Sequence, residues 1–593
     1  MRLPAPQVCR RQRVIEMTVS ITPPRTEPDE PGPGAVARAR ANAPLRILVA
    51  MGLMALAFTA VAGQLVRLAM PSKPEITTSL SESVGQSFAR PDIVDRNGRL
   101  LAADVEAYSL FADPARVLDR DEVVEKLASV FPDLDRNSVR KDLADRTRRF
   151  VWIRRGLSPK TAQNVHNLGL PGLDFRRELR RAYPGGTLAG HVLGYVNIDN
   201  RGVAGIERYI DTFVGVDAVQ SATLTERAPV RLSLDLGVQH AVESELEAAM
   251  RRYRAQGAAG LVLDAVTGEI LASASFPGVD PAHPKMSLEP ARADKVAGST
   301  FELGSVFKAV TVAMALEGKL ATLDTVLDVR APLAAGPFTI RDLHPVGRPL
   351  SVAEIFVHSS NVGAAMLALR AGPQRLQVFL QRLGLLTAMQ TEEGLIAAPQ
   401  LPQHWGQVET MTIGYGHGLA VAPLQFAAAA STLLNGGNRV LPTYLKRQPD
   451  AGQASVPLLS PATSARLREV MRRNVTDPAG TGKRAAVAGY AVGGKTGTAE
   501  IPGPGGYRER AVISSFLAAF PMDKPKYLVF VLLFEPKPTN AAEGEVLAAL
   551  NAAPTTGRII ARIGPLLGML PAAAANAAGV AFDGALPAKY EAQ

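Results

Sequence analysis

The sequence contains a single cysteine, Cys9, so no disulfide can form within the chain. Its eight histidines are scattered and form no HExxH or similar array, so no Cys/His metal framework exists. The sequence therefore predicts neither a metal nor a cofactor. It also lacks a long basic run with interleaved aromatics, which argues against nucleic acid as a partner despite a net charge of +10.

The size and composition of the chain indicate an ordinary globular protein of several parts. With 593 residues it is too long for one domain, and we expect at least two folded units. Apolar residues make up 47% and charged residues 20%. No internal repeat of solenoid period is present. The basic balance is compatible with a membrane surface or an acidic polymer.

One uncharged run of membrane-spanning length lies near the start of the chain. Ile47–Val66 reads ILVAMGLMALAFTAVAGQLV, and twenty residues without a charge are about the length of one bilayer crossing. The arginine- and proline-rich segment before it, residues 1–46, is predicted to be a disordered tail. Because its arginines lie on the N-terminal side of the run, the positive-inside rule places the tail in the cytoplasm and the rest outside.

Two other interpretations of this run remain open. Ala60-Val61-Ala62 resembles the small-residue cleavage site of a signal peptide. The long preceding tail, and apolar residues that continue to Leu68, favour a retained anchor instead. A buried core helix is the third interpretation, although twenty uncharged residues are long for one.

The exported part divides into two regions by composition. Residues 67–230 begin with a polar connector and mix strand and helix patterns, which predicts an α+β domain. Residues 231–565 contain AAGLVLDAVTGEILASASFP, which reads as two strands around a turn at residues 264–268. A helix-rich middle and further strand patterns follow, including the apolar run KYLVFVLLFEP, typical of a strand covered on both faces. We expect one antiparallel sheet with a helical insert, and a tail at residues 566–593.

Three short motifs in the second region carry the chemistry. Ser305 and Lys308 stand three apart at the start of a helical pattern, in FELGSVFK. Ser359 and Asn361 follow in VHSSNVG, and Lys495 begins KTGT on a predicted strand. Ser-x-x-Lys, Ser-x-Asn and Lys-Thr-Gly in this order form the motif set of the penicillin-interacting serine acyltransferases. Each motif alone is a weak signal, whereas the ordered set is strong.

Physical chemistry supports a nucleophile and its base in the first motif. Positions i and i+3 share one helix face, so Ser305 and Lys308 can meet. A serine hydroxyl is a poor nucleophile unless a base takes its proton, and an ordinary lysine is charged at neutral pH. Burial and a second cation both disfavour the charged amine. Lys495 can supply that cation, which predicts neutral Lys308 as the base.

The motif set implies further roles for its other members. Ser359 relays the proton to the leaving amine, and Asn361 holds the substrate amide and Lys308. The terminal carboxylate of the peptide is bound by Lys495, Thr496 and Thr498. Gly497 lets the strand backbone approach the substrate.

The backbone N–H groups of Ser305 and Thr498 are expected to form the oxyanion hole.

Simpler interpretations exist for each motif taken alone. Ser305 would then be a serine at a helix N-terminus, and Lys308 a surface lysine. Ser359 and Asn361 would be cap or turn residues. The segment GGKTGT also resembles half of a phosphate-binding loop, but it follows no strand-to-helix switch, so a nucleotide site is rejected.

The sequence from about Phe88 to Ile560 resembles the class B penicillin-binding proteins, and most closely their septal, FtsI-like branch. The likeness is carried in the first region by RPDIVDRNGRLLA, RRAYPGGTLAGHVLGYV and GVAGIERYID, and in the second by the three motifs and GYGHGLAVAPLQ. Three positions depart from the family pattern: Pro91 replaces glycine, Leu303 replaces a frequent proline, and Ala422 replaces threonine. The three motifs themselves are intact.

The resemblance implies a fold and a function. The expected fold has a single N-terminal transmembrane helix, an elongated α+β pedestal of the dimerisation type, and a penicillin-binding serine transpeptidase domain. That domain combines a five-stranded antiparallel sheet, flanking helices and an all-helical subdomain. The implied function is peptidoglycan D,D-transpeptidation through a serine acyl-enzyme, for septal wall synthesis in cell division, without glycosyltransferase activity.

The implied partners and location follow from the same resemblance. The substrates are stem peptides of the lipid-linked precursor polymer, and β-lactams acylate the same serine. A membrane glycosyltransferase of the FtsW kind and other divisome membrane proteins are the expected protein partners. The chain would be a single-pass protein of the bacterial inner membrane, with its catalytic domain in the periplasm at the septum.

Alternatives from other functional classes remain. An elongation-type transpeptidase would tend to show Ser-x-Asp at the second motif, where this chain has SSN. A β-lactam-hydrolysing or β-lactam-sensing relative would share the three motifs. A catalytically idle scaffold of the division complex is a third alternative.

The retained anchor gives a first prediction. If the run at residues 47–66 is not cleaved, the intact mass of protein purified from membranes equals that of the full chain, and a peptide containing Cys9 is recovered. A mature N-terminus at Gly63 would show that the run is a signal peptide.

Overall fold

The protein is described by a computed structural model, which covers residues 48, 51–60, 62, 89–215, 228–448, 456–503, 506–539 and 546–572. The chain divides into two units between Gln86 and Ser87. In the first unit, residues 51–60 are helical with exposed side chains. Over the ranges just given, no helix combines the length and apolar character needed to cross a bilayer. The predicted span at 47–66 lies partly outside these ranges and stays a prediction.

All of the predicted tail at residues 1–46 lies outside the described residues, as does most of the predicted tail at 566–593.

The second unit contains strands in both of its predicted regions. The strands are β1 (Ile93–Val94), β2 (Leu100–Ala112), β3 (Val151–Leu157), β4 (Leu173–Ala182), β5 (Val230–Arg231), β6 (Gly257–Asp264), β7 (Ile270–Phe276), β8 (Phe301–Glu302), β9 (Val326–Leu327), β10 (Leu333–Ala335), β11 (Phe338–Ile340), β12 (Leu350–Ser351), β13 (Gln390–Thr391), β14 (Gly394–Leu395), β15 (Ala420–Val421), β16 (Gly493–Gly503), β17 (Gly506–Phe520) and β18 (Tyr527–Phe534).

Helices of three kinds connect these strands. The α-helices are α1 (Arg120–Val130), α2 (Arg136–Ala144), α3 (Pro159–His166), α4 (Gly190–Leu193), α5 (Gly205–Tyr209), α6 (Leu236–Tyr253), α7 (Lys308–Glu317), α8 (Val352–Val357), α9 (Asn361–Arg382), α10 (Gln407–Gly414), α11 (Pro423–Leu434), α12 (Pro461–Thr476) and α13 (Ala552–Leu566). A π-helical turn covers Ile210–Gly215, and 3₁₀ turns cover Pro284–Leu288, Pro290–Arg292, Gly304–Phe307, Lys483–Ala485 and Ala548–Leu550.

The first region is built on the long strand β2. Strands β3 and β4 pair with it antiparallel, and β1 pairs with it antiparallel and with β5 in parallel. Helices α1 to α3 supply a separate small core with β2, in which Leu110 and Leu127 are fully buried. The first region is therefore α+β, as predicted.

A buried network of charges joins the three sequence segments that resemble family segments in this region. The carboxylate of Glu207 accepts hydrogen bonds from Arg90 Nε at 2.9 Å and from Arg181 Nε at 2.7 Å. Arg181 also pairs with Asp104, and Arg90 with Asp211. Because Glu207 is fully buried, its charge must be matched, and the two arginines that match it tie the three segments together.

The second region contains the predicted five-stranded antiparallel sheet, in the order β16-β17-β18-β6-β7. Strands β6 and β7 form the hairpin predicted around residues 264–268. Asp264 Oδ1 accepts hydrogen bonds from the backbone N–H groups of Val266 and Thr267, and Gly268 completes the turn with φ +78°. The strands at the two ends of this region thus meet in one sheet.

Strand β18 explains why its sequence is an unbroken apolar run. Alternate residues of a strand face opposite sides of the sheet. Leu528, Phe530 and Leu532 pack into the core on one side, whereas Val529 and Val531 pack into the core on the other. All eight residues of β18 are buried, which confirms the prediction of a strand covered on both faces.

Helices cover both faces of this sheet. Helices α6 and α13 pack on one face, and the helical insert between β7 and β16, which includes α7 and α11, packs on the other. The mixed α+β architecture is confirmed. The first and second regions belong to one compact unit, so the predicted boundary between residues 230 and 231 stays a prediction.

The buried charge network gives a stability prediction. We expect Arg181→Ala to lower the free energy of unfolding by about 3–5 kcal/mol, because it leaves the buried Asp104 without its arginine and the buried Glu207 with Arg90 alone. Urea unfolding of the full chain in detergent measures the change. Arg140→Ala is the control, since Arg140 pairs with Asp121 on the exposed surface, and its unfolding midpoint should stay that of the wild type. Equal effects of the two variants would contradict the role of the network.

Candidate active site

Ser305 lies in a 3₁₀ turn, Gly304–Phe307, that leads directly into helix α7. The predicted position at a helix start is thus correct, but the first turn is tighter than an α-helix. Gly304 has φ +57°, and a Cβ there would lie 2.7 Å from the carbonyl oxygen of Thr498. This glycine lets the turn that carries the serine pack directly against strand β16.

Lys308 is the centre of the contacts within the site. Its side chain is 1% exposed, and its Nζ lies 3.0 Å from Ser305 Oγ. The same nitrogen lies 3.1 Å from Ser359 Oγ, 2.5 Å from the Ser359 carbonyl oxygen and 2.7 Å from Asn361 Oδ1. The first and second motifs therefore meet around one buried amine.

Ser359 connects this amine to the third motif. Its Oγ lies 2.9 Å from Lys495 Nζ, so the hydroxyl stands between two lysine amines. Its backbone is in the left-handed region, with φ +61°, a conformation that costs a non-glycine residue about 1–2 kcal/mol. The result is a continuous line of polar contacts, Ser305 Oγ to Lys308 Nζ to Ser359 Oγ to Lys495 Nζ.

Burial changes the acid–base behaviour of both lysines. Desolvation holds the pKa of Lys308 well below its ordinary value, and the neighbouring charge of Lys495 lowers it further, while Asp342 acts in the opposite direction. Burial alone lowers the pKa of Lys495 to about 7. Near neutral pH the pair can hold a neutral amine next to Ser305, which is what proton abstraction from the serine requires.

Strand β16, which carries Lys495 to Thr498, is the edge of the five-stranded sheet. It pairs with β17 on one side, and no strand of the described chain pairs with its other edge. An open strand edge is where an extended peptide can add to a sheet. The ladder shifts register between Glu500 and Pro502, a bulge that ends the regular stretch beside the site.

Thr496 is held by residues to which the sequence patterns do not point. Its hydroxyl hydrogen-bonds Thr481 Oγ1 at 2.8 Å, and Asn474 accepts from the Thr481 N–H and donates to the Gly494 carbonyl. Asn474 is fully buried. The position of β16 thus depends on a side chain of helix α12 as well as on the sheet.

Gly497 packs closely against neighbouring protein atoms. A Cβ at this position would lie 2.5 Å from Ser515 Oγ and 2.6 Å from the Leu303 carbonyl oxygen. Any side chain would therefore push β16 away from the turn before Ser305. The predicted approach of the Gly497 backbone to substrate stays a prediction, as does the oxyanion hole of Ser305 and Thr498.

A cluster of polar and aromatic groups around Glu302 was not predicted. Glu302, three residues before Ser305, accepts hydrogen bonds from Tyr507 Oη at 3.0 Å and from the Gly418 N–H at 2.8 Å. The His417 ring packs edge-on against Tyr507, and burial lowers the pKa of His417. Two of the three segments in this cluster, FELGSVFK and GYGHGLAVAPLQ, carry a motif or a family likeness, but no sequence pattern connects them with each other or with Tyr507.

The phosphate-loop interpretation fails on the local backbone. The expectation of only half a motif was wrong, since the spacing from Gly489 to Thr496 fits the full G-x-x-x-x-G-K-[ST]. Lys495 and Thr496 nevertheless lie within strand β16 rather than in a loop that opens a helix. The N–H groups of this segment cannot form the anion-binding loop that the motif requires.

Comparison with known proteins agrees with this architecture. The family model described as "Penicillin-binding Protein dimerisation domain" matches residues 86–216. The family model described as "Penicillin binding protein transpeptidase domain" matches residues 258–553. The chain is 38% identical over 542 residues to the probable peptidoglycan D,D-transpeptidase FtsI of Caulobacter vibrioides, covering 90% of each chain. It is 32% identical over 515 residues to the probable peptidoglycan D,D-transpeptidase PenA of Neisseria meningitidis serogroup A, covering 83% of this chain and 87% of that one.

A further relative is the peptidoglycan D,D-transpeptidase FtsI of Escherichia coli K12, 29% identical over 490 residues that cover 78% of this chain and 82% of that one. The domain matches define a penicillin-binding protein with a transpeptidase domain and a dimerisation domain. The chain belongs to the penicillin-binding protein transpeptidase family, and the predicted resemblance to its FtsI-like members is confirmed.

The depressed pKa of Lys495 predicts how stability depends on pH. Between about pH 7 and pH 10 the unfolded chain holds a proton on this lysine that the folded chain has released. The free energy of unfolding of the wild type, relative to Lys495→Met, should therefore rise as the pH rises through this window. Urea unfolding at several pH values measures the difference.

Lys524→Met is the matched control, since Lys524 is exposed. The free energy of unfolding of Lys524→Met, relative to the wild type, should not change with pH over the same window. A flat difference for Lys495→Met as well would mean that Lys495 keeps its ordinary acidity in the folded protein.

Proposed function

We propose that this chain is a peptidoglycan D,D-transpeptidase that crosslinks stem peptides through an acyl-enzyme on Ser305, for septal wall synthesis in cell division. The observation that carries the proposal is the line of contacts from Ser305 through Lys308 and Ser359 to Lys495. The relatives named as peptidoglycan D,D-transpeptidases, FtsI among them, support the same substrate.

Acylation begins at the serine. Ser305 Oγ attacks the carbonyl carbon of the penultimate D-alanine while its proton passes to neutral Lys308 Nζ. The backbone N–H groups of Ser305 and Thr498 stabilise the resulting oxyanion. When the peptide bond breaks, the amine of the terminal D-alanine receives a proton from the lysine pair by way of Ser359, and an ester on Ser305 remains.

Crosslinking reverses these proton transfers. The amine of a neighbouring stem peptide attacks the ester carbonyl, gives its proton back through the lysine pair, and releases Ser305 with its hydroxyl restored. Thr496, Thr498 and Lys495 bind the terminal carboxylate of the donor, and Asn361 holds its amide. A β-lactam acylates the same serine, and its ring-opened product keeps the site occupied.

The context of the enzyme completes the proposal. A pedestal at residues 67–230 precedes a transpeptidase domain at residues 231–565, and the run at 47–66 anchors the chain in the inner membrane with residues 1–46 in the cytoplasm. The catalytic domain is periplasmic. The chain carries no glycosyltransferase activity of its own and works beside an FtsW-like membrane glycosyltransferase and other divisome membrane proteins.

Labelling with a fluorescent penicillin tests the proposal. The wild type in membranes should give a band that persists for hours, because a slowly lost acyl group is expected of a transpeptidase. Ser305→Ala should give no band at equal protein amount, since it removes the nucleophile. Rapid turnover of the penicillin would favour a hydrolase, and a folded wild type without a band would favour a scaffold.

A further inference from the structure

One charged side chain outside the three motifs accepts three hydrogen bonds at the second motif. Asp342 lies in the segment between β11 and β12. Its Oδ1 accepts hydrogen bonds from the backbone N–H groups of Asn361 at 2.6 Å and Val362 at 2.9 Å. Its Oδ2 accepts one from Ser360 Oγ at 2.7 Å. The carboxylate therefore binds the two backbone N–H groups at the start of helix α9 that Ser360 does not bind, and the Ser360 hydroxyl as well.

The hydrogen bonds at this helix start can be accounted for group by group. The first N–H groups of a helix have no partner within it. Asp342 takes the N–H groups of Asn361 and Val362, whereas Ser360 Oγ takes that of Gly363 at 2.9 Å and the Ser360 carbonyl takes that of Ala364. Ser360 is 2% exposed, so water cannot readily replace a lost partner. Removing the carboxylate would leave donors at the start of α9 unmatched.

The same segment also orients the Asn361 side chain. Asn361 Nδ2 lies 3.3 Å from the Arg341 carbonyl oxygen, and Asn361 Oδ1 lies 2.7 Å from Lys308 Nζ. The backbone N–H of Asn361 is fixed by Asp342 at the same time. Two consecutive residues, Arg341 and Asp342, thus hold both the main chain and the amide of the motif residue that contacts the base.

Asp342 is also the anion whose charge acts on Lys308. It favours the charged form of the amine, against the effects of burial and of Lys495. His417 is also within electrostatic reach of Lys308. Among the charged groups around Lys308, Asp342 is therefore the one whose removal makes the neutral amine easier to form.

We propose that Asp342 is a positioning residue of the acylation reaction, which holds Ser359 and Asn361 against Lys308 by binding the N-terminus of helix α9. The inference rests on the proposed function, since its consequence is measured as acylation of Ser305. The segment between β11 and β12 thus supports catalysis, although none of its groups reacts with the substrate.

Two substitutions separate the positioning role from the charge. Asp342→Ala removes both, and we expect its second-order rate constant for acylation by a fluorescent penicillin to fall about a hundredfold. Asp342→Asn keeps the shape and one acceptor oxygen but removes the charge, so its loss should be smaller. In Asp342→Asn the acidic limb of the pH–rate profile should also move to lower pH, because the pKa of Lys308 loses the group that raises it.

Asp328→Asn is the matched control. Asp328 lies in the same helical insert but pairs with Arg330 on an exposed surface, so its acylation rate and pH profile should equal those of the wild type. The thermal unfolding midpoint of each variant is measured in parallel. If Asp342→Ala does not fold, the measurements on Asp342→Asn decide the test.

Each outcome has one meaning. Wild-type rates and an unmoved pH profile in Asp342→Asn, or a lower rate that follows only a lower unfolding midpoint with no movement of the profile, would overturn the inference. Failure of the wild type itself to be acylated would overturn the proposed function instead. Slower acylation with a shifted profile in a folded Asp342→Asn supports the positioning role.

Discussion

Two lysine amines buried on either side of one serine hydroxyl are the constraint on which the site depends. Lowering the pKa of a lysine from 10.5 to about 7 corresponds to a free-energy difference on the order of 5 kcal/mol between its two protonation states. A fold can hold such groups only if the surrounding structure fixes them. The helical insert and the sheet supply that support from opposite sides of Ser359.

The support comes from elements far apart in the chain. Helix α7 presents Lys308, the turn before α9 presents Ser359 in a strained conformation, and β16 presents Lys495 at the sheet edge. Each of the three is supported by a residue that takes no direct part in the line of contacts. These residues are Gly304, whose lack of a side chain lets the turn pack against β16, Asp342 at the start of α9, and Asn474 behind Thr496. The line of contacts from Ser305 to Lys495 thus depends on elements throughout the transpeptidase region.

Sequence patterns predicted the parts of this structure that are local. Strand β18 was predictable because a strand covered on both faces needs an unbroken apolar run, and the first motif because residues three apart share a helix face. The 3₁₀ turn at Ser305 was not, since one turn of either helix type has nearly the same sequence pattern. Glu302 and Tyr507 lie 205 residues apart, and Asp342 lies in an irregular segment, so no periodicity connects them to the site.

The bulge in strand β16 has a consequence for the protein outside its reaction. An exposed strand edge is a template on which another chain can add a strand, which makes it a site of aggregation. Here the glycines Gly493, Gly494 and Gly497 lower the strand propensity of the segment, and the register shift before Pro502 interrupts the ladder just beyond it. The ladder is regular from Gly493 to Glu500 and irregular beyond. The open edge can therefore pair with a short peptide but ends before it becomes an extended template for a misfolded neighbour.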